Sequence, residues 1–272
     1  MSAAVTRRPP SPYLNVGECY ASGMPDGSWI SLNALVGFLQ KRLVPGVEVV
    51  EGGVYRRTVA GPAVLELPSA TPPALRLCGS AAASAAADEH LRSDPYLGPL
   101  VAARPGLRVP GTVDGAELAV RAVLGQQVTL AAARGLAARL VAAAGEPLPR
   151  GESGLTHLWP APEAVAQAAG SLPMPRARQR AIAGLARALA GGLRLEPGVD
   201  LAATRAELLA LEGIGPWTAE YVAMRALADP DAWLPTDVGV RHALERLGAP
   251  PQAAEGWRPF RSHAVIHLWA SL

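Results

Sequence analysis

Apolar positions along the chain follow two regimes that change near residue 100. Up to about residue 27 the chain is polar and rich in proline, glycine and serine, the pattern of a mobile tail. "WISLNALVGFLQKRL" then sets Trp29, Leu32, Leu35, Val36 and Leu39 at helical spacing, which predicts an amphipathic helix. "VEVVEGGVYRRTV" and "GPAVLELP" alternate and are rich in valine, so a β-hairpin or meander is predicted. "ALRLCG" predicts a further strand, and the low-complexity "SAAASAAADEHLRSDPYLG" a linker or short helix.

Beyond residue 100 the period is helical throughout. "DGAELAVRAVLGQQVTLAAARGLAARLVAAAG" has Asp114 placed as a cap and Gly125 as a break. "APEAVAQAAG", "RARQRAIAGLARALAGG" and "TRAELLALEGIG" predict three shorter helices, each stopped by a glycine in the left-handed conformation. No alternation predicts a strand here. The expected fold is therefore α+β: a tail over 1–27, a small α+β domain over 28–100 and an all-helical region over 101–272.

Composition narrows the function classes. Half of the 272 residues are apolar, which excludes a disordered chain and allows one large core or two medium ones. A net charge of +2 permits nucleic acid without requiring it. Of 25 basic residues only Lys41 is a lysine, so it is the one side-chain candidate for any mechanism that needs an amine. Cys19 and Cys78 are the only cysteines and form no CxxC pair, so neither a zinc knuckle nor a four-cysteine iron–sulfur cluster can be built. The expectation is a soluble protein of a reducing, intracellular compartment, with no membrane span or apolar leader. Five arginines and no acid lie between Arg176 and Arg194, and Arg258 and Arg261 stand beside His263 and His267. Each group is either a solvated helix face or a surface that meets phosphate.

Chemistry concentrates in "LEGIGPWTAEYVAMRALADPDAWLPTDVGVRHAL". Within 208–220, Gly213 and Gly215 flank Ile214 in a turn between two helices, and Pro216 opens the second. Glycines leave no Cβ to obstruct an approaching group, so backbone N–H groups cluster at a helix N-terminus as an anion site. Asp237 follows Trp217 by twenty residues and, standing before "VGVRHAL", is an N-cap by its position, worth about 1 kcal/mol. A carboxylate here can also work on a sugar, where breaking an N-glycosidic bond builds oxocarbenium character that an anion stabilises.

The pattern leucine-x-Gly213-Ile214-Gly215-x-x-Thr218-Ala219 resembles the helix-hairpin-helix motif, which grips a DNA backbone through those amides. With the hydrophobic residue, proline and acid that lead to Asp237, it resembles the helix-hairpin-helix DNA glycosylases. "ARPGLRVPGTVDGAELAVRAVLGQQVT" and "WRPFRSHAVIHLW" extend the likeness to DNA-3-methyladenine glycosylase II, over the whole helical region and more loosely from Trp29. The resemblance implies a shortened TBP-like α+β domain before two helical subdomains, because 72–100 lacks room for the family's further strand and helix.

The site residues follow from the same likeness. Asp237 would be the catalytic carboxylate, and Gly213, Ile214, Gly215 and Thr218 the backbone-gripping hairpin. Trp217, Tyr221 and Trp269 would line the pocket for a base turned out of the helix. Trp217 and Tyr221 lie one helical turn apart, and electron-rich rings suit a base made cationic by alkylation. Gln127 occupies the position of the wedge that fills the gap; a buried polar bond in the helical core is the other reading of that residue. The family's strand-cutting members carry a lysine directly before the Thr-Ala of the hairpin; here Trp217 stands there.

The implied activity is monofunctional removal of alkylated purines from duplex DNA in base excision repair, without a lyase step. No cofactor or catalytic metal is implied, only a monovalent cation at the hairpin carbonyls. The implied partner is double-stranded DNA, met by a cytoplasmic, nucleoid-associated monomer. The alternative is a non-catalytic helix-hairpin-helix module that binds DNA or senses damage; it would keep Gly213, Ile214 and Gly215 and need neither Asp237 nor the aromatic trio.

Overall fold

The structure, a computed structural model, describes residues 28–272 apart from 62, 68 and 70, so the tail expected over 1–27 lies outside the described residues. Helix α1 (Ser28–Gln40) leads into a three-stranded antiparallel meander, β1 (Glu48–Glu51), β2 (Val54–Val59) and β3 (Ala63–Leu67), in the order β1-β2-β3. Gly52 and Gly53, at φ 58° and 81°, supply the two positive φ values of the tight β1–β2 turn. Alternation puts Tyr55, Leu65 and Leu67 on one face, where they pack with Leu35 and Leu39 of α1.

The segment after the sheet differs from expectation. "ALRLCG" is not a strand but most of helix α2 (Pro72–Cys78). Prolines in the first turn open a helix readily, and the i, i+3 pair Ala74 and Leu77 meets the sheet. The low-complexity stretch forms α3 (Ala81–Leu91), capped by Ser80, whose hydroxyl accepts the Ala83 N–H. Helix α4 (Gly98–Ala103) follows. Ala87 and Leu91 of α3 belong to the same core as the later helices, so packing is continuous across residue 100.

That later region holds α5 (Gly115–Leu124), α6 (Leu130–Ala144), α7 (Pro162–Ala168), α8 (Arg176–Ala190), α9 (Leu201–Leu209), α10 (Pro216–Arg225), α11 (Val238–Leu247) and α12 (Arg261–Ala270). Asp114 caps α5 as expected, accepting the Ala116 and Glu117 N–H groups. Of the three predicted glycine stops only one holds. Helix α8 closes through Gly192, at φ 108°. Helix α7 instead tightens into a 3-10 turn (Ala169–Ser171), and α9 ends before its glycine.

The region is also not purely helical. Strands β4 (Pro147–Glu152) and β5 (Leu155–His157) pair antiparallel around Ser153 and Gly154, at φ 45° and 83°. β4 is mostly exposed and polar, so no apolar alternation marked it. It is the first domain that holds the ribbon: the Gly46 carbonyl accepts the Thr156 and His157 N–H groups at 2.8 and 3.0 Å.

A buried ionic network forms the main joint between the sheet and the helices. Arg57 of β2 pairs with Glu117 of α5, Arg121 of α5 bridges Glu117 and Glu48, and the Tyr55 hydroxyl donates to Glu48. Burial alone would raise the Glu48 carboxyl, but Arg121 and Arg57 outweigh it and hold it below its ordinary value. Arg121 also donates to the Arg42 carbonyl at 2.6 Å, and Arg134 to that of Leu43 at 2.9 Å. The chain just beyond α1 is thus fastened to the helical region. Among the described residues no helix is long and apolar enough to cross a membrane.

Removing one partner of such a network strands the other buried charges. Glu117→Gln is expected to lower unfolding stability by about 3 kcal/mol, read from denaturant unfolding. A loss near 0.5 kcal/mol, typical of an exposed pair, would contradict the structural role given to this joint.

Candidate active site

The glycine turn is built as the sequence predicted. The Leu211 carbonyl accepts the Ile214 N–H at 3.1 Å, and Ile214 is buried between the two helices. Gly213 takes φ 79°, and a Cβ there would stand 2.6 Å from that of Ala181, so glycine lets the turn close on α8. Gly215 has ordinary extended backbone at the α10 N-cap; a Cβ there would meet nothing within 4 Å. Its lack of a side chain matters toward the outside, where it leaves the helix N-terminus open.

Thr218 is buried, and its hydroxyl accepts the Gln126 side-chain amide at 3.0 Å, which fastens the first turn of α10. The same amide donates to the Gly213 carbonyl at 3.0 Å. Gln126 therefore ties the α5–α6 loop to the hairpin. The polar bonds of this loop are made by the half-buried Gln126, not by its neighbour Gln127. Gln127 itself is exposed, in the left-handed conformation at φ 57°, at the apex of that loop.

Asp237 caps α11, with Oδ1 accepting the Val240 N–H at 2.9 Å. The carboxylate also receives two indoles: Trp269 Nε1 donates to Oδ1 at 2.8 Å and Trp217 Nε1 to Oδ2 at 3.0 Å. All three donors are neutral. Asp237 forms no ion pair among the described residues, so its orientation is fixed while its charge stays available. Gly239 makes the arrangement fit, since a Cβ there would lie 3.0 Å from Trp269 Cδ1 and 3.2 Å from Asp237 Oδ1.

The aromatic trio comes together around this acid. Trp217 and Tyr221 stack with centroids 5.1 Å apart and planes 10° apart, as their one-turn spacing predicted. Tyr221 and Trp269 lie 6.4 Å apart at 47°, and Phe38 of α1 stacks on Trp269 at 6.3 Å. These rings line a cleft of about 750 Å³ in which Asp237 is the only acid among the described lining residues.

Six of the described residues lining the same cleft are arginines, and two of them, Arg42 and Arg225, lie against its aromatic rings. Arg42 lies over the Phe38 ring at 3.7 Å. Arg225 donates to the Tyr221 hydroxyl at 2.6 Å and to the carbonyls of Pro110 and Gly111. Burial pushes the Tyr221 phenol up, but the Arg225 and Arg42 charges outweigh it and hold it below its ordinary value.

Sequence reasoning missed Phe38, Arg42, Arg225, Gln126 and Gly239. Phe38 and Arg42 lie in the first region, far from the hairpin in sequence, where no local pattern tied them to the site, and Gly239 lay inside a plain helical pattern. The basic groups singled out earlier are mostly engaged elsewhere. Arg258 and Arg261 both pair with Asp231, His263 and His267 are buried, and Arg180 pairs with Glu212 beside the hairpin.

No protein-family model matches the chain. It is 42% identical over 279 residues to the "Probable bifunctional transcriptional activator/DNA repair enzyme AlkA" of Mycobacterium tuberculosis, covering 92% of this chain and 56% of that one. The chain thus spans about half the length of that relative. It is 35% identical over 270 residues to DNA-3-methyladenine glycosylase 2 of Escherichia coli, covering 90% of this chain and 93% of that one. Among solved structures, the 3-methyladenine DNA glycosylase of Archaeoglobus fulgidus superposes with a TM-score of 0.70 at 22% identity, over 88% of this chain and 94% of that one. The Clostridium acetobutylicum 8-oxoguanine glycosylase/lyase, solved with double-stranded DNA, gives 0.65 at 15% identity, over 83% and 87%. These structures share the fold, and 35% identity over nearly the whole length of the Escherichia coli protein, on a chain that carries the hairpin and Asp237, means that this chain belongs to the DNA-3-methyladenine glycosylase II family of helix-hairpin-helix glycosylases.

Proposed function

We propose that the protein is a DNA glycosylase that turns alkylated purines out of duplex DNA and hydrolyses their N-glycosidic bond. The observation that carries this is the Asp237 carboxylate, aimed by three neutral donors and in direct ion pair with no cation among the described residues, in an aromatic cleft. A carboxylate so held stabilises positive charge that develops on the deoxyribose as the bond breaks, and can orient the attacking water. The hairpin amides at Gly213 and Gly215 hold the strand, and the Gln127 loop enters the duplex beside it. Hairpin, loop and acid all come from one chain, which suits a monomer.

The cleft bears on the substrate. Stacked rings favour a planar base, and alone they would favour a cationic one. Arg42, over the Phe38 ring, and Arg225, over the Tyr221 ring, oppose that preference with two positive charges against the aromatic lining. Selection therefore rests on shape and on how readily the base leaves: an alkylated purine already departs easily, so a tolerant cleft suffices. Purines of the 3-methyladenine and 7-methylguanine type fit this description.

A lyase step is left out of the proposal. Trp217, not an amine, follows Pro216 in the hairpin helix, and its indole is engaged with Asp237. At the hairpin, the Leu211 carbonyl already accepts the Ile214 N–H and that of Gly213 the Gln126 amide. A monovalent cation would share those oxygens; its part would be to hold the DNA backbone, outside the bond-breaking step.

Asp237→Asn should abolish release of free purine from methylated duplex DNA, followed by chromatography, while the protein still folds and binds duplex: Asn still caps α11 and accepts the Trp269 indole, and the cost is the single Trp217 hydrogen bond, about 1–2 kcal/mol of stability. Binding by both proteins with release by neither would favour the non-catalytic module instead. Lys41, exposed at the rim of the same cleft, makes a second test necessary. Borohydride added during turnover is expected to leave no covalent protein–DNA adduct; an adduct abolished by Lys41→Arg would overturn the monofunctional assignment.

A further inference from the structure

Exposed large apolar side chains are few in this structure, and their placement is uneven. Leu130, Val238 and Leu272, at 47%, 63% and 56% exposure, all line the mouth of the Asp237 cleft. Leu130 is the first residue of α6, and the first turn of that helix is exposed and contains no acid. Thr129 already caps the helix, its hydroxyl accepting the Ala132 N–H at 3.2 Å, so the fold does not need a leucine at this position. Leu130 therefore adds, with Val238 and Leu272, to apolar surface gathered at one cleft, and it is such grouping that marks a contact surface.

The loop that precedes it sets the direction. Gln127 occupies the apex, but a gap in a base stack is bounded by apolar base faces, which a primary amide covers poorly. Leu130 lies three residues further on, in the segment that Gln126 fastens to the Gly213 carbonyl and the Thr218 hydroxyl. When the hairpin holds the DNA backbone, this tether fixes Leu130 relative to the strand. The absence of an acid in the first turn of α6 suits close approach to a polyanion.

We propose that Leu130 is the apolar part of the wedge. It lies against the base pair next to the extruded nucleotide, while Gln127 meets the hydrogen-bonding edge of the base left unpaired. This rests on the base-extruding function proposed above and adds a positioning residue to it: Leu130 touches no reacting atom and acts by keeping the nucleotide out of the stack.

The test uses a strand with a single guanine, methylated at N7 and annealed opposite either cytosine or an abasic spacer. Extrusion is hardest where a stacked pair must open and easiest where none exists. Leu130→Ala is expected to slow single-turnover release about tenfold opposite cytosine and less than about twofold opposite the spacer. The thermal midpoint should stay unchanged, because the side chain is exposed, and Leu130→Met should restore most of the rate. Equal loss on both duplexes, no loss on either, or a full loss from Gln127→Ala with none from Leu130→Ala would overturn the assignment. If the wild type releases nothing from either duplex, the glycosylase function itself falls and the wedge with it.

Discussion

The carboxylate of Asp237 with its three neutral donors is the constraint around which the rest of the molecule is arranged. Each donor comes from a different place: the Val240 amide from α11 itself, the Trp217 indole from the hairpin helix α10, and the Trp269 indole from the last helix. Neutral donors fix the direction of an anion without cancelling its charge, whereas an arginine would do both. The indoles therefore do two things. Their rings shape the cleft and their N–H groups aim the acid, so hairpin, pocket and carboxylate form one mechanical unit. Gly239 allows Trp269 to close on the carboxylate; a methyl group there would crowd both partners.

The first domain completes that unit. Phe38 stacks on Trp269 and Arg42 lies over Phe38, so one wall of the cleft comes from the end of α1. Arg121 and Arg134 hold the carbonyls just beyond it, and Arg121 is itself fixed by Glu48 and Glu117. Breaking a buried network of this kind would loosen a wall of the cleft as well as cost stability. It also explains why a short three-stranded sheet suffices: its task is to seat α1 and the Arg57–Glu117 pair, and both are served by the strands present.

What could be read from the sequence divides by range. Hairpin, caps and the one-turn Trp217–Tyr221 stack depend on spacing within a helix or turn, and spacing was visible. Asp114 and Asp237 are caps for the same reason. "ALRLCG" misled because six residues of mixed apolar character fit a strand as well as a helix, and the preceding prolines carried the deciding signal. The β4–β5 ribbon misled because it is held by Gly46 backbone bonds and two residues at positive φ, with little apolar alternation. Phe38, Arg42 and Gln126 act across long separations that no local pattern encodes. The exposure of Gln127 and Leu130 is likewise a property of the assembled surface.

The central claim is that the Asp237 carboxylate stabilises positive charge on the sugar. Its most direct test is binding to two duplexes that carry, in place of the damaged nucleotide, a protonated pyrrolidine or a neutral tetrahydrofuran ring. Wild type should prefer the cationic ring by about a hundredfold, in keeping with mimicry of a transition state, and Asp237→Asn should lose most of that preference. Equal affinity of the wild type for both rings, or a preference that survives Asp237→Asn, would contradict it.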